Sequence, residues 1–302
     1  MAEYIKEKGF TIQSLASDPS PLLEGQVWYN TTSTVLKGYK AVLGTGAWSS
    51  GGALNTGRSD MGGSGTQTAT LAYFGSTGLG ISVAETYNGT SWTNTTSGTS
   101  TRHGGGSIGQ LQTDAAYVGG YSAPPPPLQS GKTEKWNGSA WTESGDLQSG
   151  RQGFYGGAGT TAAGLVAGSG PADGATETFD GTSWTEVNNL VTARQYAAVC
   201  GLTSTAAICV GGYGIPAASP YSNGPGSRVG LTETWDGTSW TQSANTLALG
   251  RIESALSGTS TDAVIAGGST GDPAPPTAPT ATAETWDGTS WTSVASMADV
   301  QK

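Results

Sequence analysis

One nine-residue phrase returns five times along the chain, and it constrains the fold more than any other feature. Glu is followed by Thr or Lys, an aromatic, Asp or Asn, Gly, Thr or Ser, Ser or Ala, then Trp and Thr. The copies occupy residues 85–93, 134–142, 177–185, 233–241 and 284–292. Each reads as a hairpin: Asx-Gly and two small polar residues form the loop, because Gly and Asx accept positive φ. The flanking aromatics, for example Trp235 and Trp240, then face each other across the two strands as a stabilising pair.

A second marker keeps step with the first. Arg follows Trp by ten residues in Trp92–Arg102, Trp141–Arg151, Trp184–Arg194 and Trp48–Arg58, and by eleven in Trp240–Arg251. After each Arg come a small-residue strand, a turn and an apolar strand that often ends in Gly-Gly. One unit is therefore four strands: a after the Arg, b into Gly-Gly, c through Glu-Thr-aromatic, and d from the second Trp. Tandem four-stranded units of about 40–50 residues are the signature of propeller blades. Between Trp48 and Thr292 the chain resembles the kelch family, whose repeats pair a Gly-Gly after one strand with a spaced aromatic and Trp. That resemblance implies an all-β fold, a β-propeller of five four-stranded blades, or six if an N-terminal meander forms a blade. The expected organisation is an anchoring arm at 1–24, a β-meander at 25–57 and the propeller at 58–302.

Composition agrees with this class and excludes others. Only 12% of residues are charged, and 49 Gly interrupt nearly every helical window. Ten Trp and eleven Tyr supply core volume that an unfolded chain would lack. A net charge of −9 leaves no basic stripe to replace phosphate counterions, so nucleic acid is excluded as a partner. No run reaches the roughly 18 apolar residues of a membrane span. The first residues, MAEYIKEKGF, lack the apolar stretch of a signal peptide, which implies synthesis in a host cytoplasm. The phrase VWYNTTSTVLKGY, residues 27–39, is similar to segments near the N-termini of tailed-phage structural proteins, particularly of marine phages.

Candidate functional residues fall into two sets. Arg58, Arg102, Arg151, Arg194 and Arg251 recur once per unit, as do Glu85, Glu134, Glu177, Glu233 and Glu284 and the d-strand Trp92, Trp141, Trp184, Trp240 and Trp291. A ring of free arginines would bind an anion; repeated Arg–Glu pairs would instead fix blade geometry, the reading that the matched stoichiometry favours. The second set lies where the repeat breaks. Pro-rich insertions between strands b and c span 121–131, 213–229 and 269–283, and carry Tyr121, Pro124, Pro125, Pro126, Pro127, Tyr213, Pro216, Tyr221, Pro225, Pro273, Pro275 and Pro276. They emerge on one face, as binding loops on a rigid scaffold do.

Signals for catalysis fail. G-x-S-x-G occurs at 105–109 and 267–271 but in no strand-turn-helix elbow, and the single His103 cannot build a multi-His metal site. The resemblance to copper-dependent galactose oxidase, a kelch-like propeller with more than one His ligand, therefore carries no activity here. No catalytic, cofactor or metal residue is assigned. Cys200 and Cys209 lie symmetrically about Ser204-Thr205, where either a cross-strand disulfide or two buried thiols fits, and cytoplasmic folding favours thiols. The resulting expectation is a non-enzymatic virion protein in multiple copies: a tail-fibre, tail-associated or capsid-decoration module. Its arm grips other virion proteins and its loop-rich face takes a host glycan or surface protein. The alternative is a cytoplasmic kelch-type scaffold for protein–protein interaction.

Overall fold

A computed structural model describes residues 13–19, 27–38, 47–122, 128–168, 174–214, 228–270 and 279–299. Among them the regular structure is all strand, and no helix is long and apolar enough to cross a membrane. The chain divides into two compact units, Met1–Gly46 and Ala47–Lys302.

In the first unit Gln13–Leu15 pairs parallel with Val27–Asn30, which pairs antiparallel with Val35–Gly38. The buried Trp28 donates from Nε1 to Asp18 Oδ1 (3.1 Å), which also accepts from Asn30 (2.8 Å). The expected arm and meander thus share one sheet. The unit boundary falls after Gly46 rather than after residue 57, because the chain from Ala47 onward is bonded into the second unit. Trp48 Nε1 donates to Ala295 O at 2.8 Å, and Gly52 O accepts from Trp92 Nε1 at 3.0 Å.

The second unit contains five four-stranded antiparallel arrays in the order a-b-c-d. Sheet 1 is Gly62–Thr66, Ala69–Tyr73, Ala84–Tyr87 and Trp92–Thr95. Sheet 2 is Gly106–Leu111, Asp114–Val118, Thr133–Trp136 and Trp141–Ser144. Sheet 3 is Ala158–Gly159, Gly164–Ala167, Thr176–Phe179 and Trp184–Val187. Sheet 4 is Ala197–Thr203, Ala206–Val210, Thr232–Trp235 and Trp240–Gln242, and Phe154–Gly156 adds to its edge in parallel. Sheet 5 is Ala255–Gly258, Ala263–Ala266, Ala283–Trp286 and Trp291–Val294.

The repeated phrase builds the c–d hairpin of every sheet. Its aromatics are direct cross-strand partners, with ring centroids 4.8–5.5 Å apart. Positive φ falls on the Gly alone, 96° at Gly237. The Asx before it keeps an ordinary φ, contrary to the sequence expectation, because its side chain has another task. Asp236 Oδ1 accepts the N–H groups of Thr238 and Ser239, both at 2.8 Å, and so ties the loop shut. These backbone donors hold the Asp236 carboxyl below its usual range.

Core volume lies between sheets rather than within them. Four buried clusters fill the gaps between sheets 1 and 2, 2 and 3, 3 and 4, and 4 and 5. In the first gap Phe74 stacks on Tyr117 at 4.4 Å while Trp141 meets Phe74 edge-on at 5.2 Å. The d-strand Trp then bonds back to the preceding sheet: Trp184 to Thr133 (2.8 Å), Trp240 to Thr176 (3.0 Å) and Trp291 to Thr232 (2.8 Å). One repeated chemical device thus serves two ends: the ring fills a gap, and its N–H fixes the neighbour's position.

Cys200 and Cys209 are both free and buried. The register pairs Val199 with Cys209 and Cys200 with Ile208, so the two thiols point to opposite faces of sheet 4 and cannot bridge. Burial pushes Cys200 up to about 12 and Cys209 up to about 11.

Candidate functional site

Each repeated Arg lies three to seven residues before its strand a, and each repeated Glu is the second residue of strand c of the same sheet. The pairs are Arg58–Glu85, Arg102–Glu134 (2.9 Å), Arg151–Glu177 (2.8 Å), Arg194–Glu233 (3.0 Å) and Arg251–Glu284 (2.6 Å), with side chains at most 3% exposed. Each node also collects backbone. Arg102 Nη1 donates to Gly119 O (2.7 Å) and Lys132 O (2.6 Å), binding the end of strand b to the approach to strand c. Glu134 accepts from Thr99 N (2.6 Å) and the Ser100 hydroxyl (2.5 Å), fixing the connector from the previous sheet. Each guanidinium is buried against its own carboxylate inside the fold, and an anion-binding ring of free arginines is not what these five residues form.

Beyond each Arg the chain does something that the sequence reading did not anticipate. The residue two positions on, namely Asp60, Gly104, Gly153, Tyr196 or Glu253, takes a left-handed φ between 53° and 73°. These five residues join into a backbone belt. Gly104 N donates to Asp60 O (3.1 Å), Gly153 N to Gly104 O (2.8 Å), Tyr196 N to Gly153 O (2.5 Å) and Glu253 N to Tyr196 O (3.3 Å). The left-handed turn aims each N–H at the neighbouring sheet instead of along its own strand, a strained choice for Asp60, Tyr196 and Glu253. Gly at two of the five positions was the only trace of this demand in the sequence.

Below the belt, strand a or its approach in all five sheets lines one cavity of about 780 Å3. Its wall is mostly Gly, Ser and Thr. Asp60, Tyr155 and Glu253 stand at the belt end. The Tyr155 hydroxyl reaches from the third repeat to Asp60 Oδ1 of the first at 2.9 Å, and its ring lies 6.3 Å from that of Tyr196. Burial first, and then the Asp60 and Glu253 charges, hold the Tyr155 phenol well above its usual range. Among the described residues no group of three or more His, Cys, Asp or Glu could hold a metal ion.

Above the belt stand the bases of the b–c excursions. Tyr121 pairs with His103 and Tyr213 with Gln195, next to the repeated Arg, and both tyrosines are half-buried. Ser76 bridges Ser59 and Ser269 bridges Ile252 in the same relation. His103 stands against Tyr121 with ring centroids 5.6 Å apart. Pro124, Pro125, Pro126, Pro127, Pro216, Tyr221, Pro225, Pro273, Pro275 and Pro276 lie outside the described residues.

No protein-family model matches the chain, and no curated protein matches it.

Proposed function

We propose that the second unit is a five-bladed β-propeller of kelch type and that it works as a non-enzymatic binding module of a virion. It would sit in a tail fibre, another tail-associated part or the capsid decoration, with a host glycan or surface protein as its target. The observation that carries the binding reading is the shared origin of the b–c excursions. Their bases form ladders on the residues beside the repeated arginines. The insertions therefore leave and re-enter the sheets at one end, on a scaffold stiffened by buried Arg–Glu nodes, while the a–b turns at the other end stay short. Variable loops on a rigid frame are the usual form of a recognition surface. The blade reading is supported by the gap-filling clusters between successive sheets and by the cavity that all five repeats line. The virion assignment draws on the phage-like phrase at residues 27–39.

Mass spectrometry of purified particles from the source culture tests the assignment. The chain should be present at stoichiometric level; finding it only in the soluble cell fraction favours the scaffold alternative. Trimming residues 121–131 and the two equivalent insertions to the length of the sheet 1 excursion should abolish host-surface adsorption. Adsorption unchanged by all three trims would remove the loop face as the recognition surface.

A further inference from the structure

The cavity below the belt has the volume of a small-molecule site rather than of a protein docking groove. At the belt end four backbone bonds draw adjacent repeats to within 2.5–3.3 Å of one another, and the Tyr155 side chain lies across to Asp60. That end is narrowed, which directs access to the opposite end, where strands a turn into strands b near Thr66 and the Gln110 side chain donates to Leu202 O at 2.6 Å.

The wall chemistry narrows what fits. Strand a is the edge strand in sheets 1, 2, 3 and 5, so a row of its amide groups is not used within its own sheet. Gly and small hydroxyl residues leave part of that backbone uncovered beside the apolar side chains of Met61, Leu202 and Leu256, a mixed wall suited to the hydroxyl groups and C–H faces of a polyol. Of the charged lining residues, Arg58 is consumed by Glu85 with neither side chain exposed. Asp60 takes part in no ion pair among the described residues; it accepts from the Tyr155 hydroxyl and, at 3.2 Å, from Ser59. The belt end thus holds the Asp60 carboxylate, with the Tyr155 ring beside it. Carboxylate and aromatic face together recognise an ammonium group.

We propose that the cavity binds a small hydroxylated amine of the amino-sugar class. The ligand enters from the a–b turn end and seats its ammonium group against Asp60 and Tyr155. The inference rests on the five-repeat arrangement proposed above and not on recognition by the b–c loops, since the site opens on the other end.

Calorimetric titration of the full chain with glucosamine, N-acetylglucosamine and glucose tests it, at about pH 6 where amines of this kind are protonated. Glucosamine should bind about tenfold or more tightly than either neutral sugar, and the difference should shrink as salt is raised. Asp60→Asn should remove that preference; Asn suits the left-handed backbone, so the fold is retained. Gly63 lines the cavity, and a Cβ there would have only Leu71 O near it, at 3.9 Å. Gly63→Leu should therefore leave the melting temperature unchanged and abolish binding. Equal affinity for glucosamine and N-acetylglucosamine, no heat at millimolar glucosamine, or full affinity in a folded Gly63→Leu protein each overturns the proposal. The loop trims separate the two readings. They should abolish host adsorption and leave glucosamine binding intact; loss of glucosamine binding on trimming would place the ligand on the loop side and refute the entry from the turns.

Discussion

At the scale of the residue, the Arg–Glu node shows how a charge can be buried five times over. Removing a carboxylate and its guanidinium from water is costly, and the pair alone does not repay it. The remaining donors and acceptors must be met, and at Glu134 they are: Thr99 N–H, the Ser100 hydroxyl and Arg102 converge on two oxygens. Burial pushes this carboxyl toward protonation, but Ser100, Thr99 and Arg102 outweigh it, and its native pKa is lowered. The sign of the pH effect follows. A lowered native value means that Glu134 stabilises the fold above the ordinary glutamate value of about 4.3 and that this contribution fades as pH falls through the lowered value. Glu134→Gln leaves Arg102 buried without its counter-charge and should cost about 3–5 kcal/mol in denaturant unfolding at neutral pH. The deficit should narrow as pH falls below about 4.3, where the unfolded chain binds the proton, and close once the native carboxyl is protonated in turn. A variant within about 0.5 kcal/mol of the parent at pH 7 would show that neutral hydrogen bonds suffice at this node.

At the scale of the element, the c–d hairpin was almost wholly legible and the belt was not. The phrase from Glu233 to Thr241 names its turn, its cross-strand pair and its buried carboxylate, because all three depend on residues close in sequence. What it could not give was the target of the Trp240 N–H, which lies in the neighbouring sheet, 64 positions upstream at Thr176. The division of labour around Gly237 was also hidden, since Asp236 caps the loop rather than sharing the left-handed turn. The belt was invisible for a further reason: its residue types differ, from Asp60 to Gly104 to Tyr196, and only backbone geometry unites them. The same logic hid the candidate cavity, whose Asp60, Tyr155 and Glu253 match no motif and meet only through the arrangement of the sheets. Trp240→Phe isolates the inter-sheet bond from the ring's packing. It keeps an aromatic against Trp235 but deletes the donor to the buried Thr176 hydroxyl, and should cost about 1–3 kcal/mol in thermal or chemical unfolding. Trp235→Phe loses a bond within its own sheet, to Ser204 O at 3.1 Å, and offers the matched comparison. Equal effects on sheet-to-sheet protection in hydrogen exchange would mean that the Thr176 bond has no special part in registering sheets 3 and 4.

At the scale of the whole molecule, the question is where the second unit begins. Sequence periodicity set Trp48 in register with the repeats but placed the first residue of the propeller at Arg58, where the first strand a follows. Three observations move that start upstream. Trp48 Nε1 donates to Ala295 O, so the beginning and end of the unit are joined by a side chain. Gly52 O accepts from Trp92, the position that Thr96 O holds for Trp141 one repeat later. Asn55 N and Thr56 N donate to Glu85 at 2.7 and 3.1 Å, as Val191 and Thr192 do to Glu233. Residues 47–57 therefore act as the connector that every other sheet receives from its predecessor, supplied here by the N-terminal side of the chain. A protein starting at Ala47 should keep a single cooperative transition with a melting temperature within about 4 °C of the same unit in the full chain. A protein starting at Arg58 leaves the Glu85 carboxylate without two of its donors and the Trp92 N–H without its acceptor, and should melt at least about 8 °C lower. Equal melting of the two truncations would return the boundary to Arg58; failure of the Ala47 protein to fold would show that strands upstream of Gly46 complete its core.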